Sequence, residues 1–253
     1  MTDELTLGDL ELDDAETFNE ESGSDFVDDG LEDTAWEALQ DWQPAATFDV
    51  LYLVAVLEPQ GSPSRLELQT FAYLGCLMSV YKGEPASEWG YAFSAVPPTL
   101  PFSPAIEAAL SDLVASARLL RTRSEDADEG TNCYRLTAQG RGDLAFLSGL
   151  EAFAPRVDFL RAAGKTALFT SPPAVVNSLA YEPQLAQALR LDNPRLLLTQ
   201  VSSEPLYREF SALVQVLGSE HEELIVPASL YVRYLQQRAQ DGVSRALDEA
   251  DEQ

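Results

Sequence analysis

Residues 103–140 read SPAIEAALSDLVASARLLRTRSEDADEGTNCYRLTAQG. Ser103-Pro104 sets a capping side chain before a proline whose fixed φ suits the first helical position. Ile106, Leu110, Leu113, Val114 and Ala117 then recur at helical spacing, which predicts a helix over 103–117 with one apolar stripe. LLRTR at 119–123 and NCYRLT at 132–137 predict two short strands, joined by the acidic loop SEDADEGT at 124–131. Thr137 can cap a further helix over 138–152, with Leu144, Leu147 and Leu150 turned inward.

Towards the N-terminus, Trp89-Gly90-Tyr91-Ala92-Phe93 reads as a short strand. Pro97, Pro98 and Pro101 enforce an extended connection after it. SRLELQTFAYLGCLMSVYKG at 64–83 predicts a helix burying one face, which carries Leu68, Phe71, Leu74, Leu77, Met78 and Tyr81. Ser62 or Ser64 can cap it, and Gly83 and Pro85 stop it. TFDVLYLVAVL at 47–57 is a further apolar helix, followed by the turn Pro59-Gln60-Gly61-Ser62-Pro63. Helix, turn, helix, helix, two-stranded hairpin and helix is the order of a winged helix, assigned to residues 46–153.

Beyond 153 the chain reads as mostly helical, over 155–169, 174–190, 204–217 and 227–247. The last of these places Leu230, Tyr231, Tyr234 and Leu235 on one side. Leu196-Leu197-Leu198 is a short apolar strand or helix. The expected fold class is mainly α with a small β-wing, plus additional C-terminal helices. The expected divisions are an acidic disordered tail at 1–45, the winged helix, a helical C-terminal domain at 154–247 and an acidic tail at 248–253.

The 253 residues carry 42 Asp+Glu against 16 Lys+Arg, a formal net charge of −26. Residues 1–41 hold 16 of the acids and no Lys or Arg, while residues 42–240 hold 21 acids and 15 bases. The body is therefore nearly neutral and the ends carry the charge. In the N-terminal segment, Asp13, Asp14, Asp28 and Asp29 alternate with Phe18, Phe26 and Trp36. Acidic-apolar alternation of this kind suits a segment that binds a basic, partly apolar partner surface. The absence of a basic, apolar leader and of a long apolar run predicts a cytoplasmic protein that does not enter a membrane.

LYLVAVLEPQGSPSRLELQTFAYL, then YAF, then PFSPAIEAALSDLVASARLLR, then YRLTAQG, form an order that resembles the winged-helix domains of YwgA-like and Panacea-like prokaryotic families. The pieces that carry the resemblance are Leu68-Gln69, Phe71, Tyr73-Leu74, Tyr91, Phe93, Pro101-Phe102-Ser103, Leu110, Leu113 and Tyr134 to Gly140. Thr70 stands where those families have a basic residue, and Leu100 where they have a glycine. Such domains belong to mobile-element, toxin-antitoxin and phage-defence loci. Similar small winged-helix subunits, called KITE-like, accompany SMC-type ATPases. The resemblance implies a fold and a neighbourhood of nucleic-acid machinery more than an activity.

A DNA reader needs Lys or Arg at the backbone and polar side chains at base edges. The helix 103–117 that would enter the groove has no base and carries Glu107 and Asp112. The loop tip adds Glu125, Asp126, Asp128 and Glu129. Arg121, Arg123, Arg135 and Arg141 form the one candidate patch for phosphate or an acidic partner.

No catalytic constellation is legible. His221 is the only histidine, and with Cys76 and Cys133 it makes three Cys/His ligands, one short of a structural zinc site. Ala163-Gly164-Lys165-Thr166 lacks the upstream glycine of a P-loop, since Phe159 stands there. The expectation is a non-enzymatic adaptor without cofactor or metal, attached to a larger subunit such as an SMC/ABC-type ATPase. It would meet nucleic acid only indirectly and could be dimeric. A transcriptional regulator or antitoxin-like protein, and an acidic DNA mimic, are the alternatives.

Overall fold

The computed structural model describes residues 44–96, 99–123, 131–192, 194–199, 204–217 and 223–251. The acidic N-terminal segment, Pro97, Pro98, the loop tip and His221 lie outside the described residues. The chain is mainly helical, with small antiparallel strand pairings. Among the described residues, no helix is long and apolar enough to cross a membrane.

Helix α1 spans 44–57 and is followed by a 3-10 turn, Glu58–Gln60. Helix α2 spans Arg65–Tyr81. Its cap is Ser64, in a reciprocal box: Ser64 N–H donates to Glu67 Oε2 at 2.6 Å and Glu67 N–H donates to Ser64 Oγ at 3.2 Å. The apolar spacing predicts one buried face, but every residue from Leu68 to Val80 is buried. A helix apolar nearly all round belongs at the centre of a protein, and α2 packs there against elements from both halves of the chain.

The segment 89–93 is not a strand. Ala86–Trp89 forms a 3-10 turn, and Gly90 at φ +91° reverses the chain. Strand β1, Ser94–Val96, begins after it and pairs antiparallel with β2, Thr99–Phe102. The extended connection expected around Pro101 is therefore the second arm of a hairpin.

Helix α3 spans Pro104–Ala115. Ser103 precedes it, yet its hydroxyl makes no capping bond. The buried amide of Gln69 holds the start of α3 instead: Ser103 N–H donates to Gln69 Oε1 at 2.8 Å and Gln69 Nε2 donates to Ser103 O at 3.2 Å. Ala117 at φ +57° then turns the chain into β3, Leu119–Arg123, which pairs with β4, Asn132–Leu136. The segment before α2 joins this hairpin. Ser64 bridges Cys133, and Tyr134 N–H donates to Pro63 O at 2.9 Å.

Thr137 caps α4, Ala138–Ser148, by accepting from Gly140 N–H at 3.1 Å. This helix is shorter than expected and shallowly seated. Leu144 and Leu147 are half-buried, Leu150 is exposed, and Phe146 is 68% exposed. Helix α5, Ala154–Lys165, follows. The stretch expected as one helix over 174–190 is two, α6 at Pro172–Leu179 and α7 at Pro183–Leu191. Pro183 cannot continue a helix, and Glu182 caps α7 by accepting from Gln184 N–H at 3.0 Å and Leu185 N–H at 2.9 Å.

Strand β5, Arg195–Leu196, adds to the far edge of β1, giving the order β2-β1-β5. Helix α8 spans Glu204–Leu217 and α9 spans Ile225–Asp251. The buried side of α9 is Ala228, Tyr231, Val232 and Leu235, whereas Leu230 and Tyr234 are exposed. One apolar cluster runs from Ala46 to Leu235 and crosses the expected boundary at 153/154.

Gly164 lies where α5 meets α1: a Cβ there would stand 2.5 Å from Val56 Cγ1. Gly142, on α4, has nothing within 4 Å of that position. Gly164→Ala is expected to lower the unfolding free energy by about 1–3 kcal/mol through overpacking. Gly142→Ala is expected to leave it unchanged or raise it by about 1 kcal/mol through helix propensity. Denaturant melts of the two variants check the pair.

Candidate functional site

The four arginines of the hairpin and α4 do not form one patch. Cross-strand partners share a face of a sheet. The register Arg121↔Tyr134 and Arg123↔Asn132 puts Arg121 and Arg123 on one face, and Leu120↔Arg135 puts Arg135 on the other. On that second face Arg135 and Arg141 converge on Glu58, at 3.5 and 3.1 Å. On the first face Arg121 lies near Tyr134, together with Arg65 and Glu107, which pair with each other at 2.8 Å. A period of two along the strand separates residues that are close in sequence.

The solvent side of α3 consists of Pro104, Ala108, Ser111, Asp112 and Ala115. It is a surface of small side chains with one acid and no base. Glu107, half-buried, is held by Arg65. The helix offers nothing that neutralises a phosphate.

Two charged clusters are buried in the body. In the first, Asp49 of α1 is fully buried and paired with Arg156 of α5. Arg156 Nε donates to Asp49 Oδ1 at 2.6 Å, Nη2 to Oδ2 at 2.7 Å, and Nη1 to the Trp89 carbonyl at 2.5 Å. The Tyr91 hydroxyl donates to Asp49 Oδ2 at 2.5 Å. The guanidinium also lies 3.9 Å from the centroid of the Trp89 ring. Burial pushes the Asp49 carboxyl up, and Arg156 opposes that shift. Trp89 and Tyr91, read from sequence as strand residues, serve here as the walls of an arginine site.

In the second cluster, Glu182 caps α7 from a fully buried position and accepts weakly from the Tyr73 hydroxyl at 3.4 Å. Its Oε1 has no hydrogen-bond partner among the described residues. Burial raises the carboxyl to about 7, the N–H groups of Leu185 and Gln184 oppose this, and Glu209 of α8 adds to the rise. Tyr231 of α9 is buried in the same cluster, and Glu209 pairs with Arg238 at 3.0 Å. Neither cluster was identified from the sequence, where each member looks like an ordinary helix or turn residue.

Cys76 and Cys133 are both buried, and neither forms a disulfide among the described residues. Burial raises the Cys76 thiol well above its ordinary value, which keeps it protonated and inert. Cys76, Tyr91, Phe93, Leu197, Leu198 and Tyr207 line an open, mainly apolar concavity of about 380 Å³. Among the described residues, no group of three His, Cys, Asp or Glu side chains is placed to hold a metal ion. Gly164-Lys165-Thr166 is the end of α5, where the glycine serves close helix packing. The tail residues Asp13, Asp14, Phe18, Phe26, Asp28, Asp29 and Trp36 lie outside the described residues. No protein-family model, no curated protein and no solved structure matches the chain.

Two outcomes follow from the buried charges. Arg156→Ala leaves the Asp49 carboxylate buried without its partner, so a loss of about 3–5 kcal/mol is expected. The double variant Asp49→Asn with Arg156→Met is expected to lose clearly less than the two single losses added together, as a double-mutant cycle of urea melts would read.

Glu182 gains its proton affinity on folding, from an ordinary 4.5 to about 7. The native state therefore binds more protons than the unfolded chain between those values. Its stabilising contribution is complete below about pH 4.5 and is lost as pH rises through about 7. The gap between wild type and Glu182→Gln is expected to shift by up to about 3 kcal/mol in favour of the variant from pH 4.5 to 8. A constant gap across that range would remove the assignment.

Proposed function

We propose that this chain is a non-enzymatic winged-helix adaptor, an accessory subunit of a larger prokaryotic nucleic-acid machine of the SMC/ABC-ATPase type, working in the cytoplasm in defence or genome maintenance. The winged-helix reading draws support from the path of the chain: α1, the short extended piece at Pro63-Ser64, α2, α3, then the β3–β4 hairpin to which that piece pairs. The β1–β2 hairpin is an insertion between α2 and α3 in this reading.

The observation that carries the adaptor role is the solvent side of α3, which has no base and one acid. The helix that would enter a DNA groove instead offers a low-relief surface of small side chains, suited to close approach by a protein. Arg135 and Arg141 share the single carboxylate of Glu58, which offsets one of their two charges and reduces what they supply to a polyanion. The acidic-apolar N-terminal segment, with 16 acids and no base in residues 1–41, complements a basic subunit. In this reading the segment occupies a DNA-binding surface of that subunit until DNA displaces it.

One observation favours the regulator reading. Arg121 and Arg123 are exposed side by side on β3, at the base of the loop. If they contacted phosphate, affinity for DNA would fall steeply with salt.

Purification of the tagged full chain from its native host at low salt, with mass spectrometry of co-purifying chains, tests the choice. A stoichiometric ATPase or nuclease is expected. The isolated chain is expected to shift no duplex at 50 mM salt, and Arg121→Ala with Arg123→Ala to change nothing. A lone protein that retains DNA, with a salt slope that this double variant lowers, would overturn the adaptor reading.

A further inference from the structure

A groove runs along the outer end of α5 and the first turns of α9. Its apolar end is a concavity of about 240 Å³ lined by Phe169, Ile225, Val226, Leu230 and Arg233. Its polar end is a concavity of about 310 Å³ lined by Asp158, Arg161, Lys165, Glu223 and Ile225. Ile225 lines both, so the two adjoin at that residue. Phe169 is 61% exposed and the adjoining Leu168 59%, with Val226 and Leu230 also exposed. Contiguous large apolar side chains at this exposure mark a contact surface.

The charged rim is specific. Arg161 is paired with Asp158. Lys165 and Arg233 are exposed and make no ion pair among the described residues. Among the described residues the groove thus presents two cations outside any ion pair beside apolar side chains, with Glu223 as one acid of its lining that makes no ion pair among those residues. A ligand that fits it alternates apolar residues with acids. Two copies facing groove to groove would set Lys165 and Arg233 near their own kind, which disfavours self-association here.

The chain carries such a segment. Residues 18–31, FNEESGSDFVDDGL, contain Phe18, Phe26, Val27 and Leu31 among five acids and no base. Its attachment point is close. Helix α1 runs parallel to α5: Asp49 pairs with Arg156, Tyr52 lies in the field of Asp158 and Arg161, and Val56 meets Gly164. The segment joins α1 at its first residue, so the groove at the far end of α5 lies roughly 25 Å away, one helix length and a turn. The 12 residues between Leu31 and Pro44 reach roughly 40 Å when extended.

We infer that residues 18–31 seat in this groove of their own chain, Phe26, Val27 and Leu31 against Phe169, Val226 and Leu230, with the acids on Lys165 and Arg233. The contact competes with any use of the segment on another protein. It does not depend on the adaptor reading, since it concerns the isolated chain alone.

The test is site-specific photo-crosslinking in the full chain. Benzoylphenylalanine replaces Leu230, or Phe146 on α4 as an exposed apolar control. Circular dichroism confirms that both chains fold. Illumination at micromolar concentration and 50 mM salt is expected to link position 230 to the peptide containing 18–31, with at least tenfold the yield seen from position 146. The link is expected to fall severalfold in 500 mM salt, and to vanish in Phe26→Ser/Val27→Ser/Leu31→Ser and in Lys165→Glu/Arg233→Glu. Crosslinks to a second copy, equal yields from both positions, or no link to 18–31 would overturn the inference. So would a link in cell lysate that goes to another protein while the purified chain gives none.

Discussion

The Asp49–Arg156 pair fixes the relation of the first helix to the rest of the body. An isolated carboxylate in an apolar interior is strongly disfavoured. Asp49 is tolerated because a guanidinium meets both its oxygens and Tyr91 donates a third bond. Arg156 in turn needs a carbonyl and an aromatic face, and the turn at Trp89-Gly90 supplies both. Three segments distant in sequence therefore have one arrangement that satisfies all their charges. Buried pairs contribute less to net stability than to uniqueness of arrangement when partners are matched this closely. The parallel course of α1 along α5 follows from it, and so does the point at which the N-terminal segment leaves the body.

The same constraint explains why the two halves of the chain share one core. Helix α2 is buried on every side from Leu68 to Val80, and the face turned away from α3 and the β3–β4 hairpin needs cover. Helices α5 and α6 provide it. Helices α5 and α6 are in this sense the other wall around α2. Gly75 and Gly164 permit the approach: a Cβ on Gly75 would stand 3.1 Å from Leu160, and Gly164 lies against Val56. Losing either close contact would loosen the wall without touching any surface residue.

Periodicity made the helices legible. Helices α2, α3, α5, α8 and α9 stand where apolar spacing, Ser64 and Pro104 predict them, to within a few residues. The hairpin at 119–136 was legible from two short runs around an acidic loop. Errors arose where one residue type serves two purposes. Trp89, Tyr91 and Phe93 alternate as a strand does, yet Trp89 and Tyr91 are buried because they surround Arg156. Leu230 and Tyr234 continue a helical stripe, but the neighbouring helices cover Ala228, Tyr231 and Leu235 instead. Gln69, Asp49 and Glu182 carry the polar interior, and pattern alone cannot pair a helix residue with one tens of positions away.

The surface chemistry shows the same limit more sharply. Arg121, Arg123 and Arg135 lie within fifteen residues of one another, and proximity in sequence suggested one basic patch. The strand pleat divides them, and Glu58, contributed by the end of a helix far upstream, takes two cations on one face. Lys165 and Arg233, which make no ion pair among the described residues, are separated by 68 positions and have no sequence signature. In a chain whose body is nearly neutral, which cations are already matched decides where a polyanionic segment can settle. That depends on the pairing geometry and not on the count of arginines, so the electrostatic surface had to be read from the fold.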